Sequence, residues 1–490
     1  MVTEMAAARL RTLLDTLKTP RGRIALTIAC LGALFFGFWH LHSGTGWFWG
    51  SDFRVFYFAA EAVRHGADPY TAVIAWIHTY SPTTHLGTTF ATKSYVYGPF
   101  FALLLTPLSL LPNLWAMVIW NLCNLVFLTA AMYCLLRIAG ISPSRLHVLV
   151  LAAAAVVTLP VQTEFFLGQS DIFVLFCICA AFYLLLEGGP VTGGILLAMG
   201  CATKPTLLVL VIFMLWKREW KFAATAILGF LALFLGPFLW LGGQAWHDLM
   251  TIWSFWSSQY IAYARNDSPR GVLTRIFTTN PVVRPLFVAP WLAYALWLAL
   301  AVVVVVVTAA LVSPRRLERG PRGLLEIGLA VTAMLLISPL TEWPYLMLLF
   351  IPLMGCYAWL RGVDWRARPW RAVAIGAFLV WVGLLGPLKL IEYFIWDHIG
   401  NRPILTDVLV VLAPMHLYAL IALFALQLYT QRLITGRATA EATRAWVIAL
   451  PAMLVAWLTD LAVALARLGQ TSRQRALNVA SWSSKALARR

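Results

Sequence analysis

The sequence predicts an all-α polytopic membrane protein, and three observations predict it. The 490 residues are 61% hydrophobic and 12% charged, the mean hydropathy is +0.80, and apolar runs of membrane-spanning length recur along nearly the whole chain. Soluble domains carry about twice that charged fraction. A helical span needs roughly 20 apolar residues, so about 11 to 13 helices are expected, some of them short or broken, and no soluble domain fits in what remains. The formal charge of +17 does not indicate nucleic acid, because Lys and Arg fall in short clusters between apolar segments, where they orient the spans. Cys30, Cys123, Cys134, Cys177, Cys179, Cys201 and Cys356 all lie inside apolar segments. They read as packing residues, not as a disulfide framework or a CxxC metal site.

The elements follow in order. Residues 1–22 carry Arg9, Arg11, Lys18 and Arg21 before the apolar run 24–39. No small-residue cleavage site follows, so this is expected to be a cytoplasmic N-terminus and an uncleaved first helix rather than a secretory signal. The clusters "KREWK" (217–221), "SPRRLERGPRG" (313–323), "RGVDWRARPWR" (361–371) and Arg432 to Arg444 mark the cytoplasmic side with it. Between them the pairs 222–243 with 287–312, 324–340 with 345–360 and 372–390 with 406–430 turn outward. The outer loops are then 42–97, 244–286, 338–345 and 391–405. They are long and rich in aromatic residues, Gly and Pro, whereas the inner connections are short and basic, so the chemistry is expected on the outer face. "YGPFFALLLTPLSLLPN" (97–113) is short and broken by proline, which suits a re-entrant segment. That count puts "GQSD" (168–171) outside, and the alternative count puts it inside. Residues 191–216 are either one long helix or two short ones meeting at Lys204-Pro205. The membrane domain spans 23–430. In the basic segment 431–490, residues 444–467 read as a last span or a surface helix, and the tail from Gln470 as unstructured.

The first outer loop opens on "SDFRVFYFAAEAVRHGADPYTA" (51–72), where Phe53, Phe56, Tyr57, Ala60 and Val63 recur at helical spacing while Arg54, Glu61 and Arg64 face elsewhere. This predicts an amphipathic helix over 52–65 on the outer membrane surface, stopped by Gly66. Asp52 at its start either caps the helix, where a carboxylate suits the dipole, or acts as a general base beside the headgroups.

Lys204 stands inside the apolar "ILLAMGCATKPTLLVLVIFMLW". A central Lys costs on the order of 2.5 to 3.5 kcal/mol on insertion scales, so it faces a cavity or an anion, with lipid phosphate the natural partner, or it snorkels to an interface. Pro205 beside it breaks the helix and exposes a half-helix N-terminus. Gln169 and Asp171 of "GQSD" sit at a helix start, where Ser and Asp are also ordinary caps. "SPLTEWPY" puts Glu342, Trp343 and Tyr345 in a tight outer turn. A carboxylate with aromatic rings suits sugar binding, although Trp and Tyr also anchor membrane interfaces. Arg265, Arg270 and Arg275 lie on the outer side against the positive-inside trend, and a guanidinium there can hold a phosphate bidentately.

The order of motifs, from the Asp-initiated first loop running to "GADPY", through "YVYGPFFALLLTPLSLLP", "GQSD" and "GILLAMGCATKPTLLVLVIFMLWKREWK", to "SPLTEWPY", resembles glycosyltransferase family 87 over roughly residues 24–360. These are polytopic enzymes of GT-C fold that include polyprenol-phosphate-mannose-dependent mannosyltransferases. The resemblance implies transfer of mannose or another hexose or pentose from polyprenyl phosphate to a lipid or glycan acceptor of the cell envelope. It implies no metal or other cofactor and no nucleic-acid partner, and a multi-pass plasma-membrane protein working on its extracytoplasmic side. Asp52 takes the position of the family's first-loop acid and would be the catalytic base. Tyr57, Tyr70, Tyr97, Gln169, Asp171, Lys204, Arg265, Arg270, Glu342, Trp343 and Tyr345 would bind substrate. One departure stands out: where relatives acting on mannose often have a Trp-acid-His-aromatic pattern, this chain has Pro344 at the His, and Glu342 would serve in its place or the donor differs. A transporter or flippase of lipid-linked sugars would also want an intramembrane Lys and broken helices. The halves show no internal repeat, and the long first loop suits a surface active site better.

Overall fold

The computed structural model describes residues 19–42, 50–80, 95–263, 266–280, 284–384, 414–435 and 459. Most of the expected cytoplasmic segment 1–22, Arg265, the whole of loop 391–405, nearly all of the segment 444–467 and the tail from Gln470 lie outside them. Among the described residues the chain is helical throughout, without strands. Four helices are long and apolar enough to cross a membrane, or six if each of two bent pairs counts as one span, with shorter apolar helices between them. An all-α polytopic membrane protein is therefore what the chain forms.

Helix α1 (Pro20–His42) is followed by α2 (Ser51–Arg64) and α3 (Pro69–Tyr80). Then come α4 (Pro99–Leu105) and a 3-10 turn, Thr106–Leu110, in which Pro107 lacks the N–H that would continue α4. Tyr70 Oη donates to the Tyr97 carbonyl at one end of this piece (3.1 Å) and Tyr57 Oη to the Leu111 carbonyl at the other (2.8 Å). Both ends of the segment expected to be re-entrant are thus tied to the first-loop helices.

From there the chain runs between two ends of a bundle. Near the start of α5 (Asn113–Ile138), Trp120 Nε1 donates to the Gly168 carbonyl at 3.1 Å, and near its finish Arg137 pairs with Glu187 at 3.0 Å. The pair α6 (Arg145–Val156) and α7 (Leu159–Leu167), bent by 77°, returns to Gly168. Helix α8 (Asp171–Leu186) goes back toward Glu187, and α9 (Pro190–Thr203) rises to Lys204. Helix α10 (Leu208–Trp216) then descends, because Glu219 beyond it accepts from Leu317 N–H (3.3 Å) while Arg319 pairs with Glu187 (2.8 Å). Of the two readings of 191–216, the two short helices meeting at Lys204-Pro205 are correct. Helix α11 (Trp220–Leu235) rises again, and α12 (Phe238–Phe255) bends away from it by 76°. Next are α13 (Pro269–Phe277), α14 (Pro290–Leu311), α15 (Pro321–Ile337), a 3-10 turn at Trp343–Leu349, α16 (Phe350–Leu360), α17 (Arg368–Leu384) and α18 (Met415–Thr435). The stretch 244–286, expected as an outer loop, is largely helical and folded against the bundle.

The basic clusters 217–221 and 313–323 gather at one end of this bundle, and Asp52, GQSD and Lys204 at the other. Lys217 is not solvated. Its Nζ lies 2.6 Å from Glu326 Oε2 and donates to the Ser313 carbonyl at 3.0 Å, bolting the α10–α11 turn to α15.

Helix α2 corrects an expectation. Its apolar face, with Phe53, Val55, Phe56, Ala59, Ala60 and Val63, is buried in protein and not laid on headgroups. The rings of segment 97–113 and α5 offer a better partner than lipid: Phe56 meets Phe101 edge-on at 5.1 Å and Tyr97 at 4.9 Å, and Phe53 stacks near Trp120 at 6.5 Å. Gly66, at φ +71°, ends the helix as expected.

Beyond that turn, Asp68 Oδ1 accepts from Tyr70 N–H at 2.8 Å, where α3 begins. Burial, and then the nearby Asp248 carboxylate of α12, push its pKa up to about 6 from 3.8. The folded state therefore binds a proton that the unfolded chain has released between about pH 4 and 6, and stability is lost as pH rises through that window. Asp68→Asn keeps the acceptor for Tyr70. It is expected to leave thermal stability of the purified protein unchanged below about pH 4 and to raise it above pH 6. Parallel melting curves for both proteins across the range would refute this.

Candidate active site

At the end opposite the basic clusters, a cavity of about 100 Å³ is bounded by Asp52, Tyr97, Gln169, Asp171, Lys204, Glu342 and Tyr345 among others. Four stretches far apart in sequence supply these side chains.

Asp52 lies in the first turn of α2, but the N-cap position belongs to Gly50, in the left-handed conformation (φ 65°). Asp52 is thus not the capping residue. Its Oδ1 accepts from Ser51 Oγ at 3.1 Å and its Oδ2 from Gln169 Nε2 at 2.5 Å. Gly168 makes that approach possible: at φ +70°, a Cβ built on it would lie 2.6 Å from Phe53 Cβ, so only glycine fits between the GQSD turn and α2. Gln169 Oε1 in turn accepts from Tyr97 Oη at 2.9 Å, and Ser170 Oγ donates to Tyr97 Oη at 3.3 Å.

Neither Ser170 nor Asp171 caps α8. The buried Glu164 carboxylate accepts from Ile172 N–H at 3.0 Å instead. Asp171 is left to pair with Lys204, Nζ to Oδ1 2.6 Å, with side chains 1% and 7% exposed. Lys204 is the extended residue (φ −130°) between α9 and the 3-10 turn Pro205–Leu207, and its ammonium stands 3.7 Å from the centre of the Tyr345 ring. The anion it requires is in the first instance Asp171 of the same chain, not a lipid phosphate.

Glu342 precedes the turn Trp343–Leu349, and its Oε1 accepts from Tyr260 Oη at 3.0 Å. Tyr260 ends a π-helical turn, Trp256–Tyr260, that puts Trp256 and Tyr260 against each other with centroids 3.9 Å apart; such turns recur at functional sites. The 338–341 turn is clamped from behind. Asn266 Oδ1 accepts from Thr341 N–H (3.1 Å), Ser268 Oγ donates to the Pro339 carbonyl (2.8 Å), and Asp267 meets His416 of α18 at 3.1 Å.

A second cavity of about 380 Å³ adjoins the first, and Tyr97, Lys204, Trp256, Tyr260 and Tyr345 line both. Its other walls include Pro205, Trp253, Ile261 and Arg270. Arg270 lies 5.0 Å from the Trp297 ring centre, with no carboxylate in ion-pair distance among the described residues. Burial lowers its pKa, as it does for a guanidinium without an acid beside it.

Of the residues singled out from sequence, the structure brings together Asp52, Tyr97, Gln169, Asp171, Lys204, Glu342 and Tyr345, with Arg270 next door. It does not bring in Tyr57 or Tyr70, whose hydroxyls are bonded to backbone carbonyls, nor Trp343, which is buried against His416 with rings 6.2 Å apart. Arg275 is buried and donates to the carbonyls of Tyr263 (2.7 Å) and Asn266 (3.0 Å), so it scaffolds its loop instead of facing a ligand. Trp256, Tyr260, Ser170 and Glu164 were not anticipated. The four-residue spacing in "WSSQY" was the signal for the first two, but it looks the same as an interface anchor. Among the described residues, no three His, Cys, Asp or Glu side chains form a metal-holding group.

In this helical membrane bundle, buried polar side chains converge on a small cavity beside a larger, mainly apolar one. The model of glycosyltransferase family 87 matches residues 95–339, half of the chain. The chain belongs to that family and is a membrane glycosyltransferase. No curated protein and no solved structure matches it. The match contains GQSD and Lys204 but stops short of Asp52 and Glu342, which join the site through the fold alone.

Proposed function

We propose that this transferase moves a sugar from a polyprenyl-phosphate donor to a lipid or glycan acceptor at the extracytoplasmic face of the plasma membrane, with Asp52 as general base. The observation that carries the reading is the junction of the two cavities. The larger, mainly apolar one suits the first isoprenoid units and phosphate of a donor, with Arg270 in its wall, and the smaller one suits the sugar and the acceptor hydroxyl. In the reaction the acceptor O–H bond breaks as its oxygen bonds to the anomeric carbon from the face opposite the phosphate. The anomeric C–O bond to phosphate breaks, the phosphate leaves with the electron pair, and Asp52 takes the proton. Arg270 and Lys204 are the cations available to the departing phosphate. Glu342, held by Tyr260, and the Trp256 and Tyr260 rings offer an acceptor and stacking faces to sugar hydroxyls and ring. The donor sugar is a hexose or pentose, mannose being the first to test.

Purified protein incubated with polyprenyl-phosphate sugars and native membrane lipids should yield a glycosylated lipid by mass spectrometry. Transfer from a nucleotide sugar alone would refute the donor. The side of the membrane has its own test. A cysteine at position 280 is expected to react with an impermeant maleimide in intact cells and one at 319 is not; labelling of 319 would move the site to the cytoplasm.

A further inference from the structure

We infer that His416 is a positioning residue for Glu342, an inference that rests on Glu342 being a residue that meets the sugar. His416 sits in the first turn of α18, whose described residues line neither cavity. Its Nδ1 donates to Asp267 Oδ2 at 3.1 Å, and the two side chains are 5% and 2% exposed. Asp267 Oδ1 is buried without a hydrogen-bond partner, so among the described residues His416 is the one side chain that meets this carboxylate.

The turn before Glu342 needs an outside hold. "SPLTEWPY" joins α15 to the 3-10 turn Trp343–Leu349, and Pro339 and Pro344 have no N–H to give. Residues 266–268 supply the hold. Asn266 uses its whole amide: Oδ1 accepts from Ser268 N–H (3.0 Å) and Thr341 N–H (3.1 Å), and Nδ2 donates to the Ile261 and Pro339 carbonyls (both 3.0 Å). Asp267 N–H donates to the carbonyl of Thr341, next to Glu342, at 2.9 Å. On the other side of Glu342, Trp343 stands with its ring 6.2 Å from that of His416. Both neighbours of Glu342 are therefore fixed by one histidine, Thr341 through Asp267 and Trp343 by ring contact. The segment that carries the clamp also carries Tyr260, whose hydroxyl donates to Glu342 Oε1 at 3.0 Å in the wall of the small cavity. A buried charged pair adds little stability over apolar side chains of similar volume. What this pair adds is a fixed direction between α18 and the turn that presents Glu342. A shift of about 1 Å in a positioned group costs on the order of 100-fold in rate.

The test uses His416→Leu, which removes the donor, and His416→Asn, whose amide nitrogen stands as many bonds from Cβ as Nδ1 and restores it. Sugar transfer by the full-length protein, from the donor that the wild-type chain uses, is measured in both variants, in Glu342→Gln, and in His416→Leu combined with Glu342→Gln. Hydrogen exchange of the peptide that carries Thr341 and Glu342 is read alongside by mass spectrometry. His416→Leu is expected to lower kcat/KM by on the order of 10- to 100-fold, more of it in KM than in kcat, as for Glu342→Gln, and to quicken exchange at the turn. His416→Asn should recover most of both. On the Glu342→Gln background the loss of the histidine should cost far less than in the wild type, because side chains that act as one unit do not add. Equal cost on both backgrounds, or wild-type kcat and KM per folded molecule in His416→Leu, would overturn the inference and leave His416 to the fold. Should the single variant not fold, Asp267→Leu with His416→Leu removes the pair as a whole, which is often close to neutral for stability, and goes through the same cycle. Quickened exchange that His416→Asn reverses, in a protein whose Glu342→Gln variant transfers at the wild-type rate, would uphold the tether to the turn and remove Glu342 from sugar binding.

Discussion

Asp52→Asn is expected to abolish most sugar transfer while leaving expression, folding and donor binding intact. The two halves of that expectation have separate grounds. Structurally the substitution is mild: Gly50 holds the N-cap position, so no cap is lost, and the asparagine oxygen can still accept from Gln169 Nε2 while its NH₂ donates to Ser51 Oγ in place of the bond that hydroxyl made. Chemically it is severe, because an amide cannot take a proton at neutral pH. Loss of a positioned general base costs about 10² to 10⁴ in rate, which is about 3 to 5 kcal/mol of barrier. The competitor is Glu342, since Asp171, the third carboxylate of the small cavity, is paired with Lys204. Glu342 already accepts from Tyr260 at 3.0 Å, which suits a residue that orients hydroxyls. Glu342→Gln preserves that acceptor and should cost less than Asp52→Asn, with more of the loss in KM. Single-turnover rates on both variants decide the matter: near-wild-type chemistry in Asp52→Asn with loss in Glu342→Gln would exchange the two roles.

How much of this was legible beforehand follows from what kind of signal each feature leaves. Membrane helices are written in long apolar runs, so the class of fold was plain, and the break within 97–113 could be read because Pro107 and Pro112 are local facts. Lys204 and Asp171 were each visible as polar residues among apolar ones. Their pairing was not, because 33 residues and a helix reversal separate them, and nothing local says that two short helices return to the same end. For the same reason Lys204 seemed to want a lipid anion. The apolar face of α2 was legible as a face, but the sequence does not distinguish a face made for headgroups from one made for Phe101 and Trp120. Tyr57 and Tyr70 belong to the right motifs and serve the fold, while Trp256 and Tyr260 belong to no motif and line the site. The Glu164 carboxylate at the start of α8 is eight residues from the N–H it meets, beyond the reach of any capping pattern.

The second large effect is expected at Lys204, and on stability before activity. Lys204→Met removes the charge, keeps much of the length, and leaves Asp171, 1% exposed, as a buried carboxylate without its cation, with Glu164 behind it. Breaking one side of a buried pair costs about 3 to 5 kcal/mol, enough to lower the yield or melting temperature of the single variant sharply. Its low activity would therefore say nothing about substrate. The double variant Lys204→Met with Asp171→Asn removes both charges together and should regain most of the lost stability, since a buried pair replaced as a whole is often close to neutral. On that stabilised background the functional question becomes clean. If Lys204 also meets the donor phosphate from its place on both cavity walls, transfer should remain about 10- to 150-fold below wild type, the worth of one charge-assisted contact of about 1.5 to 3 kcal/mol. A double variant that is stable and fully active would make Lys204 and Asp171 a purely structural pair. The phosphate contact would then fall to Arg270, and Arg270→Met, which breaks no ion pair among the described residues, would be the substitution that loses the 10- to 150-fold instead.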